Sequence, residues 1–187
     1  MQTAGAVVAN HVSWLDIFAM NAQQRIFFVA KFEVKKWFGV GILAKTTNAV
    51  FIKRDPRLAR AQQELFASRF QRGDTLLFFP EGTSTDGMQV LPFKSTLFAS
   101  LFQGDQTNGL MVQPVTVNYE APPGEDARFY GFWGRMSFRD HIFKVISIPE
   151  GGSVELIYHR PVQVAQFSNR KELARYCEET VRAAHVN

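Results

Sequence analysis

The sequence predicts a single mixed α/β domain, and three observations predict it. A short apolar run, Ala6-Val7-Val8-Ala9, leads straight into a turn and then a helix. Residues 75–79 form an unbroken apolar stretch closed by Pro80, as expected of a strand buried on both faces of a parallel sheet. With 187 residues and 46% hydrophobic content, the chain can bury one sizeable core, and it shows no repeat, low-complexity segment or linker.

Taken in order, Ala6–Ala9 is the first strand, Asn10-His11-Val12 the turn, and a helix runs from Ser13 toward Gln23. Arg25–Ala30 and Ala49–Ile52 are the next two strands. Asp55-Pro56 opens a helix, because proline suits a first turn, and Leu58, Ala61, Leu65 and Phe66 keep helical spacing until Gly73 ends it. After the strand at 75–79, a helix is expected over Ser95–Phe102. Leu110–Val117 is a strand interrupted by Pro114.

Residues 121–152 hold three of the eight prolines and five of the 13 glycines among many aromatics, and read as a long, loop-rich insertion. Val154–Val164 returns to alternation, with Val154, Leu156 and Tyr158 on one face. A last helix begins near Ser168 as its N-cap and lines up Leu173, Tyr176, Cys177 and Val181.

The net charge of +4 is unevenly divided. Residues 1–72 carry 11 Lys/Arg against 4 Asp/Glu, a balance of +7, and the remainder carries 10 against 13, a balance of −3. A basic first part suits an anionic membrane, a phosphorylated substrate, an acidic carrier protein or nucleic acid. The basic residues follow no nucleic-acid-binding motif, so nucleic acid is not expected as a partner. A single cysteine, Cys177, excludes an intrachain disulfide and fits a reducing compartment. His141, His159 and His185 lack ligand spacing with it, so no metal site is predicted. No apolar run approaches the roughly 18 residues of a spanning helix.

His11 and Asp16 carry the candidate chemistry. Inside a regular helix five residues would separate them by about 140°. With His11 in the turn and Asp16 in the first helical turn, the carboxylate can instead reach a ring nitrogen, fix the tautomer and support the imidazolium formed when the other nitrogen takes a proton. Equally, Ser13-Trp14-Leu15-Asp16 fits a capping-box-like start, with Asp16 satisfying only the helix end.

Asn10-His11-Val12-Ser13-Trp14-Leu15-Asp16 resembles the first signature block of the glycerolipid acyltransferase family. Phe51-Ile52-Lys53-Arg54 resembles the second, Phe79-Pro80-Glu81-Gly82-Thr83 the third and Val112-Gln113-Pro114-Val115 the fourth, in the same order and with similar separations. Val29-Ala30-Lys31, Leu91-Pro92-Phe93-Lys94 and Gly131-Phe132-Trp133-Gly134 are similar to bacterial members of the lysophosphatidic acid acyltransferase branch. The resemblance implies a central, mostly parallel or mixed sheet flanked by helices. It also implies one acyltransferase domain over 1–187 that lacks an upstream apolar membrane-associating segment.

By that resemblance, His11 and Asp16 are the catalytic pair. His11 takes the proton from the sn-2 hydroxyl of 1-acyl-glycerol-3-phosphate, whose oxygen attacks the thioester of acyl-CoA or acyl-carrier-protein and gives phosphatidic acid. No cofactor is implied beyond that acyl co-substrate. Phe51, Ile52, Lys53, Arg54, Glu81, Gly82, Thr83, Ser84 and Lys94 are the substrate-binding candidates, with Arg54 on the phosphate, and Val112, Pro114 and Val115 line the acyl-donor side. Glu81 is equally readable as a buried structural acceptor, and Val112, Pro114 and Val115 as plain strand core. The partners implied are a membrane lipid and an anionic surface, at the cytoplasmic face of a bacterial inner membrane.

Two departures qualify the resemblance. Asn48 stands where the second block often has glycine, and Ser84 where many members have an arginine. Losing that cation weakens the case for a phosphomonoester acceptor, so a lyso-ornithine lipid is the alternative within the same chemistry. A thioesterase using His11 to activate water and a non-catalytic lipid-binding module are further alternatives. Lys35-Lys36-Trp37-Phe38 with Gly39–Leu43 reads as an interfacial segment or as a core helix with solvated lysines. The rings of Tyr130, Phe132, Trp133, Phe138 and Phe143 contact lipid, cover an acyl chain or pack the insertion.

Overall fold

Strands form where apolar residues run without a helical period, and the most central of them is the first. In the computed structural model, which describes residues 5–32, 49–52, 55–102 and 109–186, β1 (Gly5–Ala9) is buried at all five positions. It pairs in parallel with β4 (Thr75–Phe78) on one side and β5 (Met111–Glu120) on the other. β4 pairs with β2 (Phe27–Lys31), which pairs with β3 (Val50–Ile52), again in parallel. β6 (Ser153–Tyr158) and the short β7 (Val162–Gln163) both run antiparallel to β5. The order is β3-β2-β4-β1-β5-β6, with β7 beside β6 on the β5 edge, a mixed and mostly parallel sheet as expected.

The alternation of side chains divides the core in two. Ala6, Val8, Leu76, Phe78 and Val112 face a layer made by α2 (Ala59–Gln71), a 3-10 segment at Ser95–Phe102 and α4 (Arg170–Ala184), through Phe70, Phe98, Leu101, Leu173, Cys177 and Val181. Val7, Ala9, Leu77, Val115 and Val117 face Met20 of α1 (Asp16–Gln23). Each fully buried Val or Leu contributes about 1.5–3 kcal/mol through removal from water. Helices thus cover both faces, as a largely parallel sheet requires.

Several boundaries differ from expectation for local reasons. The strand expected over 154–164 is two, because Pro161 lies between them. That break sits opposite Pro114, whose carbonyl accepts the His159 N–H at 3.0 Å, so a proline without a donor fits inside β5 where the neighbouring ladder is interrupted. Residues 95–102 are 3-10 rather than α. The last helix is capped by Asn169, whose Oδ1 accepts from the N–H of Lys171 and Glu172, and not by Ser168.

The insertion contains a helix, α3 (Phe138–Ile146), with Ser137 as its N-cap. No helix of the described residues is long and apolar enough to cross a membrane. The Lys35–Leu43 stretch lies outside the described residues.

Candidate active site

β1 ends at Ala9 and the chain must leave the sheet without leaving polar groups unpaired. Asn10, 1% exposed, solves this: its side chain accepts from the Val117 N–H at 2.8 Å and donates to the Val117 carbonyl at 2.9 Å, mimicking one more ladder step on β5. The next residue, His11, therefore projects at the carboxyl end of the central strand, where open α/β sheets carry their sites. α1 starts at Asp16, later than expected at Ser13, and Ser13 makes no cap bond. Instead the Asp16 carboxylate folds back over the turn.

Its Oδ2 accepts from His11 Nδ1 at 2.7 Å and from the backbone N–H of Val12 at 2.9 Å and Ser13 at 3.1 Å. Its Oδ1 accepts from the Tyr119 hydroxyl at 2.8 Å. Asp16 is fully buried, while the His11 side chain keeps 21% of its surface. Asp16 accordingly shapes the turn and orients the histidine together. With Nδ1 taken up, Nε2 is the nitrogen left to act as a base. The Phe79 ring stacks on the imidazole, centroids 3.9 Å apart and planes 8° from parallel, which fixes the ring's plane.

The loop after β4 supplies the second wall. Glu81, 1% exposed, accepts the His11 N–H on Oε1 at 2.7 Å and the Leu91 N–H on Oε2 at 2.9 Å. Of its two possible roles, this geometry supplies the buried structural acceptor. Burial pushes its pKa up to about 7, against the opposing pull of those two backbone donors and of His11. Lys94, though exposed, is tied to the same loop: Nζ donates to the Glu81 carbonyl at 2.6 Å and the backbone N–H to the Pro80 carbonyl at 2.9 Å.

Gly82 has φ +72°, a conformation that favours glycine, and turns the chain back with its N–H on the Phe79 carbonyl at 3.0 Å. Thr83 is exposed at the rim. Ser84 donates its hydroxyl to the Phe132 carbonyl, and Thr85 donates its N–H to the His11 carbonyl at 2.9 Å.

Phe132 completes the wall by donating its N–H to the Val12 carbonyl at 2.9 Å. Trp14 Nε1 donates to His141 Nδ1 of α3 at 3.0 Å, so that histidine is held with its proton on Nε2, and burial lowers its pKa. Of the insertion's rings, Phe132 and Phe138 pack against each other and Tyr130 against Tyr119, whereas Trp133 and Phe143 are exposed.

The remaining candidates lie elsewhere. Of the acyl-donor-side candidates, Val112 and Pro114 face one side of the sheet and Val115 the other, all buried, as alternation on a central strand dictates. Phe51 and Ile52 lie on β3, three strands from β1. Ile52 lines an apolar cavity of about 230 Å³ with Val29, Phe66, Phe78 and Leu101, on the face of the sheet opposite His11. Lys53 and Arg54 lie outside the described residues. Tyr119, which sequence reasoning missed, carries no local signal because it meets the turn from a distant segment; Asn10 and Phe132 were seen only within motifs, since their contacts with Val117 and Val12 join segments far apart in sequence.

Residues 2–118 match the family described as Acyltransferase. A lyso-ornithine lipid O-acyltransferase of Rhodobacter capsulatus is 55% identical over 183 residues, covering 98% of this chain and 66% of that protein. One from Pseudomonas aeruginosa is 36% identical over 177 residues, covering 95% and 66%. The crystal structure of the 1-acyl-sn-glycerophosphate (LPA) acyltransferase from Thermotoga maritima matches with a TM-score of 0.63 at 28% identity, over 98% of this chain and 65% of that one. The chain thus spans about two thirds of the length of these relatives.

Proposed function

Because this chain belongs to the acyltransferase family, we propose that it forms the catalytic part of an enzyme that moves a fatty acyl group from a thioester to the hydroxyl of a lyso-ornithine lipid. The observation that carries the chemistry is the 2.7 Å contact between His11 and the buried Asp16. His11 Nε2 removes the hydroxyl proton as the oxygen attacks the thioester carbonyl carbon. The tetrahedral intermediate then collapses, the C–S bond breaks, and the departing thiolate takes the proton back from the imidazolium. Asp16 supports that transient cation without itself changing protonation state. The donor is acyl-CoA or acyl-carrier-protein, and no cofactor enters the scheme.

The acceptor differs from the one the sequence put first. Relatives named for lyso-ornithine lipid at 55% and 36% identity favour it over lysophosphatidic acid. Ser84 supports the same choice, since its hydroxyl holds the Phe132 carbonyl where a phosphate-binding arginine would otherwise be expected. The exposed Phe18, Trp133, Phe143 and Ile146 suit work at a lipid surface, on the cytoplasmic face of a bacterial inner membrane.

The test offers purified protein in liposomes a labelled acyl-CoA or acyl-carrier-protein, with either lysolipid. Acylated ornithine lipid, lost on His11→Ala by roughly a thousandfold with the fold intact, is the expected result. Phosphatidic acid alone would return the acceptor to lysophosphatidic acid. Free fatty acid alone would make the protein a thioesterase, and full turnover by His11→Ala would remove the mechanism.

A further inference from the structure

The Asp16 carboxylate divides its two oxygens. Oδ2 serves the catalytic turn, through His11 Nδ1 and the N–H groups of Val12 and Ser13, whereas Oδ1 accepts from the Tyr119 hydroxyl at 2.8 Å. Tyr119 arrives from β5, 103 positions away in sequence, and its placement is over-determined. Its strand neighbour Val117 is held by both ends of the Asn10 amide, its backbone pairs with Val154 of β6, and its ring lies 5.3 Å from that of Tyr130. Tyr130 is itself anchored, its hydroxyl accepting the Gly152 N–H at 2.7 Å.

We propose that Tyr119 is a positioning residue that acts through Asp16 to set the basicity of His11. A phenol donating to a carboxylate draws negative charge toward itself, so less is left to stabilise an imidazolium at the other oxygen. Tyr119 thereby keeps His11 a neutral base over a wider pH range and lets the imidazolium surrender its proton readily at the collapse step. Burial, with Asp16 adding to it, raises the phenol's pKa far above its ordinary value, so Tyr119 remains a donor throughout the working pH range.

Among the described residues, the other titratable groups around the pair are Glu81, whose carboxylate holds the His11 N–H, with Lys94 on its carbonyl, and Tyr130 beyond Tyr119. Burial pushes the Glu81 pKa up to about 7, so its titration also enters a rate profile, which alone would mix two groups. The His11 ring resonances separate them.

The inference rests on the acyl-transfer reading, and its test is Tyr119→Phe. Removing the hydroxyl is expected to lower kcat about tenfold with KM changed less than about twofold. It should also move the acid limb of the rate profile, and the His11 ring titration followed by NMR, to higher pH by about one unit. Replacing Tyr119 with 3-fluorotyrosine, a more acidic phenol that fits the same space, should move both the opposite way and covers the case in which Tyr119→Phe folds poorly. In an Asp16→Asn background, Tyr119→Phe should add nothing.

A His11 titration that stays in place in both variants overturns the proposal, as does a Tyr119→Phe loss that is equally large with Asn at position 16. Because the NMR titration needs no turnover, a wild-type protein that acylates nothing would defeat the acyl-transfer reading alone.

Discussion

Asp16 meets three donors on one oxygen and one on the other, a set that asparagine can largely accommodate in shape but not in charge. Asp16→Asn keeps an oxygen for the turn but cannot support the imidazolium, so kcat should fall at least about a hundredfold. Stability should fall by only about 1–3 kcal/mol in urea unfolding. Retained turnover would remove Asp16 from the mechanism.

Glu81 invites a pH experiment. Its pKa of about 7 in the fold lies above the ordinary carboxylate value, so folding takes up a proton there. The associated stability is fully present below the unfolded value and is lost as pH rises through 7, a change on the order of 3 kcal/mol. Glu81→Gln should flatten that dependence while lowering stability at pH 5, because an amide nitrogen would face a backbone donor. Urea titrations of both proteins at pH 5 and 8 read this directly, and equal pH slopes would count against it. At this scale the His11–Asp16 pair was legible because its partners are five residues apart, whereas the Glu81 and Tyr119 contacts span 70 and 103 positions.

Elements bring those distant residues to the turn, and the insertion does so by close backbone approach. Gly131 lies against Asp86: a Cβ at that position would sit 2.7 Å from the Asp86 carbonyl oxygen and 2.9 Å from its Cα. Backbone cannot give way as a flexible side chain would. Gly131→Ala should therefore push the segment bearing Phe132 off the loop bearing Ser84 and off Val12. Activity should drop more than about tenfold, while the melting temperature falls by only a few degrees, about the effect of 1–2 kcal/mol on a domain of this size. Unchanged kcat/KM in Gly131→Ala would mean that the insertion does not shape the site.

The helix within that insertion was missed because prolines and glycines dominate its surroundings, although Ser137 followed three residues later by Asp140 marks its start. The buried run at 75–79 and the turn after β1 were plain because composition alone carries them. The split between β6 and β7 was not, since it answers to Pro114 on another strand.

Across the whole molecule, the two sides of the sheet do different work. His11, Phe79, Asp16 and Tyr119 belong to the side covered by α1, and the apolar cavity and α4 lie on the other, with one set of strands supporting both. A single domain requires the two layers to unfold together, and the sequence supplies a reporter for each. Cys177, the sole cysteine, is fully buried in α4 against the sheet, and burial raises its thiol pKa, so a thiol reagent should reach it only through unfolding. Trp14, 8% exposed beside the catalytic turn, reports the opposite layer once Trp37 and Trp133 are replaced by Phe.

In rising urea, the free energies from Cys177 labelling and from Trp14 fluorescence should coincide within error and share one slope, as a two-state unit demands. A Cys177 transition at clearly lower urea would mean that α4 opens on its own. The strands would then support the catalytic turn without the layer behind them, and the sheet would no longer couple the site to the rest of the core.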